Sequence, residues 1–308
     1  MKQSDTALIP DDGLADTYLT TKQVAALLHV KERKIYDLAA AGDIPGTRAL
    51  GKWLFQRDAI FDWLNGHSNG TSAVLTAAPN VVLGSHDPLL EWAVRESGSG
   101  LAMFLDGSID GLNRFARNEG GLAGLHIFDA ANDIWNANAV RATLPQSAPA
   151  VLVEWAWRHR GLIVAEGNPK QINSIADLRG KRLASRQESA GTHVLLNHFL
   201  KQAGIAPGDV DILPPARTES DAALAVIEGE ADVTFGLHCI ARQYRLDFAP
   251  VVRERFDLLV WWRDWFQPPM QRLLAFTKTE SFAKKAAALT GYEVSGLGTV
   301  HMNSVETD

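Results

Sequence analysis

From Val81 onward the chain alternates two kinds of apolar pattern, and that alternation narrows the folds open to it. VVLGSHDPLLEWAVRES reads as strand, loop and helix, LAMFLDGSIDGLNRFARNEG repeats the unit, and GLAGLHIFDA supplies a third strand. A second group opens at RGLIVAEGNP and closes at ADVTFGL. Repeated strand–helix units predict an α/β domain with a mainly parallel sheet and right-handed crossovers. Such sheets bind ligands beyond the carboxyl ends of their strands. The polar loops predicted there are Gly84–Asp87, Asp106–Ser108, Phe128–Asp129, Ser185–His193 and Gly236–His238. They come from two blocks of sequence, so they can face each other across a cleft.

One loop carries the most chemistry. KRLAS reads as a strand, SRQESAGTH as a polar loop through Gly191, and Val194, Leu195, Leu196, Phe199 and Leu200 as the apolar face of a helix. A helix start leaves amide N–H groups unpaired and carries partial positive charge, which favours an anion. Ser185, Gln187, Ser189 and Thr192 add hydroxyl and amide donors, and Arg186 adds a charge. An ordinary strand-to-helix turn would show much of this pattern too. Ser85 and Ser108 are suitable donors from the other block, with plain helix capping as their alternative role. Asp87 and Asp129 are better read as caps or ion-pair partners, because a carboxylate repels a divalent oxyanion.

Residues 17–64 form a different unit. Thr20 and Gln23 fit a capping box, Val24, Ala25, Leu27 and Leu28 give a first helix its apolar face, and His29-Val30 breaks it. A second helix follows from about Lys31 to Ala41, stopped by Gly42. Two strand-like pieces, Thr47–Leu50 and Lys52–Phe55, turn at Gly51 as a wing, and a last helix runs from Arg57 to Leu64. The unit holds seven Lys or Arg against five Asp or Glu, inside a chain of net charge −6. Lys31, Arg33 and Lys34 open the second helix, where recognition helices meet bases and phosphates; Arg48 and Lys52 lie in the wing.

This unit resembles the excisionase-like branch of the winged-helix family. The positions that carry the resemblance are Thr21, Ala25, Leu28, Val30, Tyr36, Gly42, Ile44, Pro45, Trp53, Phe55, Asp58, Ile60, Trp63 and Leu64. The resemblance implies a DNA contact surface of Thr21, Lys31, Arg33, Lys34, Tyr36, Arg48, Lys52 and Trp53. Residues 81–300 resemble the type II periplasmic binding protein fold. They are most similar to the molybdate-binding-like domain found behind a helix-turn-helix in bacterial regulators. The shared phrases are SHDPLL, DGSIDGL, HIFDA, GLIVAEGNP, SRQESAGTHVLL, LDFAPVVRERFDLL and GYEVSGLG. What the resemblance implies is a ligand, molybdate or tungstate, held by Ser85, His86, Ser108, Arg186, Gln187, Ser189, Gly191, Thr192 and His193. Ser185, Ala190 and His193 depart from the usual loop N-R-Q-x-G-S-G-T-R, and His193 removes a fixed positive charge.

The expected architecture is therefore α/β: a flexible tail (1–16), a winged helix-turn-helix (17–66), a linker (67–80) and a two-lobed ligand-sensing domain (81–308). Lobe 1 covers about 81–155 and 250–300, and lobe 2 about 160–249. The expected function is a one-component, cytoplasmic, homodimeric transcription regulator with operator DNA and an oxyanion effector as partners. No signal peptide or membrane span is apparent. One cysteine, Cys239, permits no internal disulfide and no cysteine-based zinc site. The nine histidines show no metal-ligand spacing, so no metal or cofactor is expected. Ser85, His86 and Asp87 are consecutive, which spreads their side chains apart and argues against a catalytic triad. The rival readings are a sensor of a small organic acid or aromatic metabolite, an architectural DNA binder that needs no ligand, and an enzyme on the binding-protein fold. Trp261, Trp262 and Trp265 are expected in the core or a dimer contact.

Overall fold

The computed structural model describes residues 18–303 except 29, 50, 58, 61, 62 and 64–76. The expected tail, the His29 break and most of the linker lie outside the described residues. The chain divides into two units, Met1–Thr76 and Ala77–Asp308.

In the first unit, Thr20 caps the helix Thr21–Leu27: its hydroxyl accepts from the Gln23 amide while the Gln23 side chain accepts from the Thr20 amide. The second helix, Glu32–Ala41, ends at Gly42 in the left-handed conformation that spares a glycine the Cβ clash. The wing is Thr47–Ala49 against Lys52–Gln56. A strand not read from the sequence, Tyr18–Thr20, pairs with the wing and completes a three-stranded sheet. Val24, Ile35, Ile44, Phe55 and Ile60 form the core beneath it.

The second unit is built on one sheet with two parallel halves. Val81–Gly84 lies between Ala102–Phe104 and Leu122–Leu125 on one side. Arg182–Ala184 lies between Asp211–Ile212 and Val233–Leu237 on the other. The halves are joined by two long antiparallel strands, Ala150–Val164 and Asp247–Trp261, which pair with each other along nearly their whole length. Sequence pattern predicted parallel strands here and missed this antiparallel seam. The pairing shifts register between Pro250 and Val252 and again between Phe256 and Asp257. Such bulges increase local twist and let one pair of strands serve two differently oriented lobes. The seam also receives Val300–Asn303, paired with Val151–Val153, so lobe 1 is assembled from both ends of the unit.

Each lobe has its own core. Leu89, Leu90, Trp155, Phe256, Leu273 and Phe282 pack in lobe 1; Leu183, Leu195, Leu196, Val233 and Phe235 pack in lobe 2. Trp261 is buried and stacks on Phe115, ring centroids 4.2 Å apart, so it belongs to the packing of lobe 1. Trp265 packs against the same core.

Candidate functional site

Three of the predicted loops, Gly84–Asp87, Asp106–Ser108 and Ser185–His193, meet where the lobes touch. In lobe 1 the loops after Val81–Gly84 and Ala102–Phe104 place Ser85 and Ser108 side by side, their hydroxyl oxygens 2.8 Å apart and buried. Neither is a cap. Asp87 caps the helix Pro88–Glu96, and the helix Ser108–Ala116 starts after Gly107 with no side-chain cap. The His126 amide donates to Ser108 Oγ at 3.1 Å, which occupies an acceptor site of that hydroxyl and turns its proton elsewhere.

In lobe 2 the helix Gly191–Gln202 follows Ala190 and also lacks a side-chain cap. Among the described residues, the amides of Ser108, Gly191 and Thr192 make no hydrogen bond. Gly191 lies against lobe 1 so closely that a Cβ there would sit 2.6 Å from the His126 carbonyl oxygen. Thr192 is 3% exposed. Gln187 Nε2 is buried without a partner, as is His193 Nδ1.

Direct bonds fasten the lobes beside this cluster. Ser189 Oγ donates to the Asp106 carbonyl at 3.0 Å, and the Ile109 amide donates to the Ser189 carbonyl at 3.2 Å. Arg217 of lobe 2 reaches the Asp106 carboxylate at 3.1 Å. Gly107 adopts φ +111°, and a Cβ on it would lie 2.6 Å from the Ser189 carbonyl oxygen.

Beneath the cluster lies a charge network that sequence reasoning missed. Arg158 and Arg160, two apart on a long strand, share one face and are fully buried. Arg158 donates to Asp87 at 2.9 Å and to Glu254. Arg160 donates to Glu254 at 2.8 and 2.9 Å and to Glu219 at 2.8 Å. Asp87 also accepts from Trp155 Nε1, from the Tyr292 hydroxyl and from the Leu90 amide. Glu219 accepts from the Leu237 amide. Burial alone would raise the Glu254 carboxyl, but Arg158, Arg160 and His126 hold it well below its ordinary range. His126 is pushed down by its burial, against the pull of Glu254, which favours the neutral ring. Its Nδ1 then donates to Glu254 Oε2 at 3.1 Å, since a carboxylate only accepts. Arg160 Nη1 and Arg158 Nε are buried donors left without partners. The one available signal was a pair of arginines at strand spacing inside an otherwise apolar run.

Other expected ligand residues are engaged elsewhere. His86 pairs with Glu91 at 2.7 Å, on the helix that follows its loop. The Arg186 guanidinium donates through Nε and Nη2 to the Ala216 and Arg217 carbonyls and the Gln187 side chain. Ser189 serves the lobe contact just described. Asp129 accepts from the Ala131 amide and from the Asn132 and Asn138 side chains, a local turn. On the first unit, Lys31, Arg33, Lys34, Tyr36, Arg48 and Lys52 are exposed. Thr21 is buried, and Trp53 is half-buried and stacked on Phe55.

Comparison with known proteins agrees with this two-part construction. A family model described as a helix-turn-helix domain matches residues 18–68, and one described as a PBP superfamily domain matches residues 90–278. The uncharacterized protein YvgK of Bacillus subtilis (strain 168) is 25% identical over 303 residues, covering 91% of this chain and 96% of that protein. Among solved structures, the regulatory domain of MetR, a LysR family regulator from N. meningitidis, is 12% identical with a TM-score of 0.48. That match covers 69% of this chain and 97% of the MetR domain. ArgBP from T. maritima, as a P235GK mutant, is 13% identical with a TM-score of 0.45, over 68% of this chain and 93% of its own. No helix among the described residues is long and apolar enough to cross a membrane.

Proposed function

Since the chain belongs to the PBP superfamily domain family and carries a helix-turn-helix domain ahead of that region, we propose that it is a one-component DNA-binding regulator whose lobes close on a small oxyanion, molybdate or tungstate. One observation carries the ligand class. The buried carboxylates at the lobe junction, Asp87, Glu219 and Glu254, are each held by two or more donors, while the spare capacity is mostly donors: the amides of Ser108, Gly191 and Thr192, Gln187 Nε2 and Arg160 Nη1, beside His193 Nδ1, which donates or accepts according to its tautomer. A compact tetrahedral anion with no proton of its own satisfies such a set. The Thr192 hydroxyl can donate as well, and so can one hydroxyl of the Ser85–Ser108 pair, whose mutual bond uses the other's proton.

A ligand that binds only the folded state, at 100 times its dissociation constant, stabilises it by roughly 2.7 kcal/mol. Molybdate or tungstate is therefore expected to raise the melting temperature; with a cavity sized for the larger ion, sulfate and phosphate do much less at equal concentration. Thr192→Val should remove the shift while leaving melting without ligand nearly unchanged. If neither molybdate nor tungstate moves melting, the oxyanion reading fails and an organic acid takes its place.

The DNA side has its own test. Lys52→Ala is expected to weaken binding to specific and random duplexes alike, and to lower the salt slope of binding by about one unit. An unchanged slope would take the wing out of the interface. We further propose a homodimer on a near-palindromic operator, because one winged unit covers one half-site. Mass measurement of the free protein and of its DNA complex checks this, and a monomer in both would reject it.

A further inference from the structure

The long strand that buries Arg158 and Arg160 turns Trp157 and His159 to its other face. There a groove opens, walled by Trp157, His159 and Arg253 of the long strands, His238 at the start of the helix His238–Gln243, and Thr290 and Tyr292 of the C-terminal segment. We propose that this groove is a second anion site, distinct from the lobe junction, which takes a small carboxylate or phosphate.

The groove brings two imidazoles together. A Cβ on Gly291 would lie 3.0 Å from the His238 Cβ and 3.1 Å from the His159 Cβ, so the two histidines flank a bare glycine. Gly291 has φ +83°, which independently favours a residue without Cβ. The His159 amide donates to the Gly291 carbonyl at 2.8 Å and fixes this approach. The His238 ring lies flat on Phe248, centroids 4.2 Å apart, leaving its nitrogens at the edge of the stack. Neither imidazole makes a side-chain hydrogen bond among the described residues, so both keep their donor capacity.

The charges around the groove are uneven. Arg253 stands over Trp157 at 4.5 Å, and Arg242 acts on His238 from its own helix. The facing carboxylate, Glu293, is already shared between Arg253 and the Ser295 hydroxyl. Arg255 is committed to Asp257. Burial, His159 and Arg242 all push the His238 ring toward its neutral form. An anion bridging the two rings would supply the missing countercharge, so binding takes up protons. The walls come from lobe 2, from both long strands and from the segment that returns to lobe 1. An occupant therefore touches every part that moves if the lobes swing, and the Tyr292 hydroxyl links the wall to Asp87 at 2.6 Å.

The test uses the full chain with labelled histidines, titrated with inorganic phosphate and separately with benzoate against sodium chloride of equal ionic strength. Saturable shifts of the His159 and His238 ring signals are expected, tighter by ~10-fold or more at about pH 6 than at about pH 8, on either side of the ordinary imidazole range. His238→Phe, which keeps the ring stack and removes both nitrogens, and His159→Gln, at an exposed position, should each abolish saturation. A response to phosphate alone or to benzoate alone supports the site and identifies its ligand. Shifts no larger than those of chloride, or saturation that survives both substitutions, would overturn it. The readout needs no ligand at the lobe junction.

Discussion

Glu254→Gln is expected to destabilise the second unit by about 3–5 kcal/mol, because removing one partner of a buried ion pair leaves the others uncompensated. Glu254 is fully buried and accepts from Arg158, Arg160 and His126 together. Glutamine keeps the shape but cancels the charge that balances two guanidinium groups, and its amide hydrogens meet donors instead of acceptors. Urea unfolding followed by circular dichroism measures the loss; a change below about 1 kcal/mol, the level of an exposed pair, would show that the network is not needed. The same residue sets an acid limit. The folded carboxyl is depressed below its ordinary 4.5, so its contribution is complete above that value and disappears as pH falls through the folded one. His126, depressed from 6.5, acts in the same direction over a higher range. The unfolded ring takes up a proton that the buried ring refuses, and stability falls as pH drops below 6.5. Glu254→Gln should flatten the lower part of that profile.

Gly107→Ala is expected to weaken molybdate or tungstate binding about 5–150-fold, the range that corresponds to 1–3 kcal/mol of strain placed on one state. Gly107 sits at φ +111°, and an added Cβ would meet the Ser189 carbonyl oxygen of the opposite lobe at 2.6 Å. The backbone strain is present whatever the lobes do, but the clash exists only where they touch. Calorimetry gives the affinity, and small-angle scattering without ligand gives the lobe separation independently of what the site binds. An unaltered separation together with an unaltered affinity would remove this contact from closure.

The parts legible in the sequence are those settled by neighbours along the chain. The Thr20–Gln23 capping box, the Gly42 stop and the turn at Gly51 rest on interactions within a few residues, and the structure has all three. The strand Tyr18–Thr20 is only three residues long and exists through Leu19 facing Phe55, a pairing no local pattern announces. At the candidate site the loop Ser185–Thr192 and the two serines were legible as polar residues at strand ends. Their geometry was not, because the Ser85–Ser108 contact spans 23 positions. The buried network was hidden more deeply: Arg160 finds Glu219 and Glu254 at separations of 59 and 94 residues. For the same reason the contacts of Arg186 with the Ala216 and Arg217 carbonyls, 30 and 31 residues away, could not be read from its loop.

The return of Val300–Asn303 to Val151–Val153 has a consequence for synthesis on the ribosome. Domains form as their last required segment emerges. The first unit and the strands and helices of lobe 2 from Arg182 to Gln243 can each be complete while the rest of the chain is still being made. Lobe 1 cannot: its sheet lacks Asp247–Trp261, and its core lacks Leu273 and Phe282, until residues far beyond lobe 2 have emerged. A nascent chain therefore presents a finished helix-turn-helix unit well before its binding-protein-like unit is complete, and the segment from Asp247 to Asn303 joins the two lobes into one body.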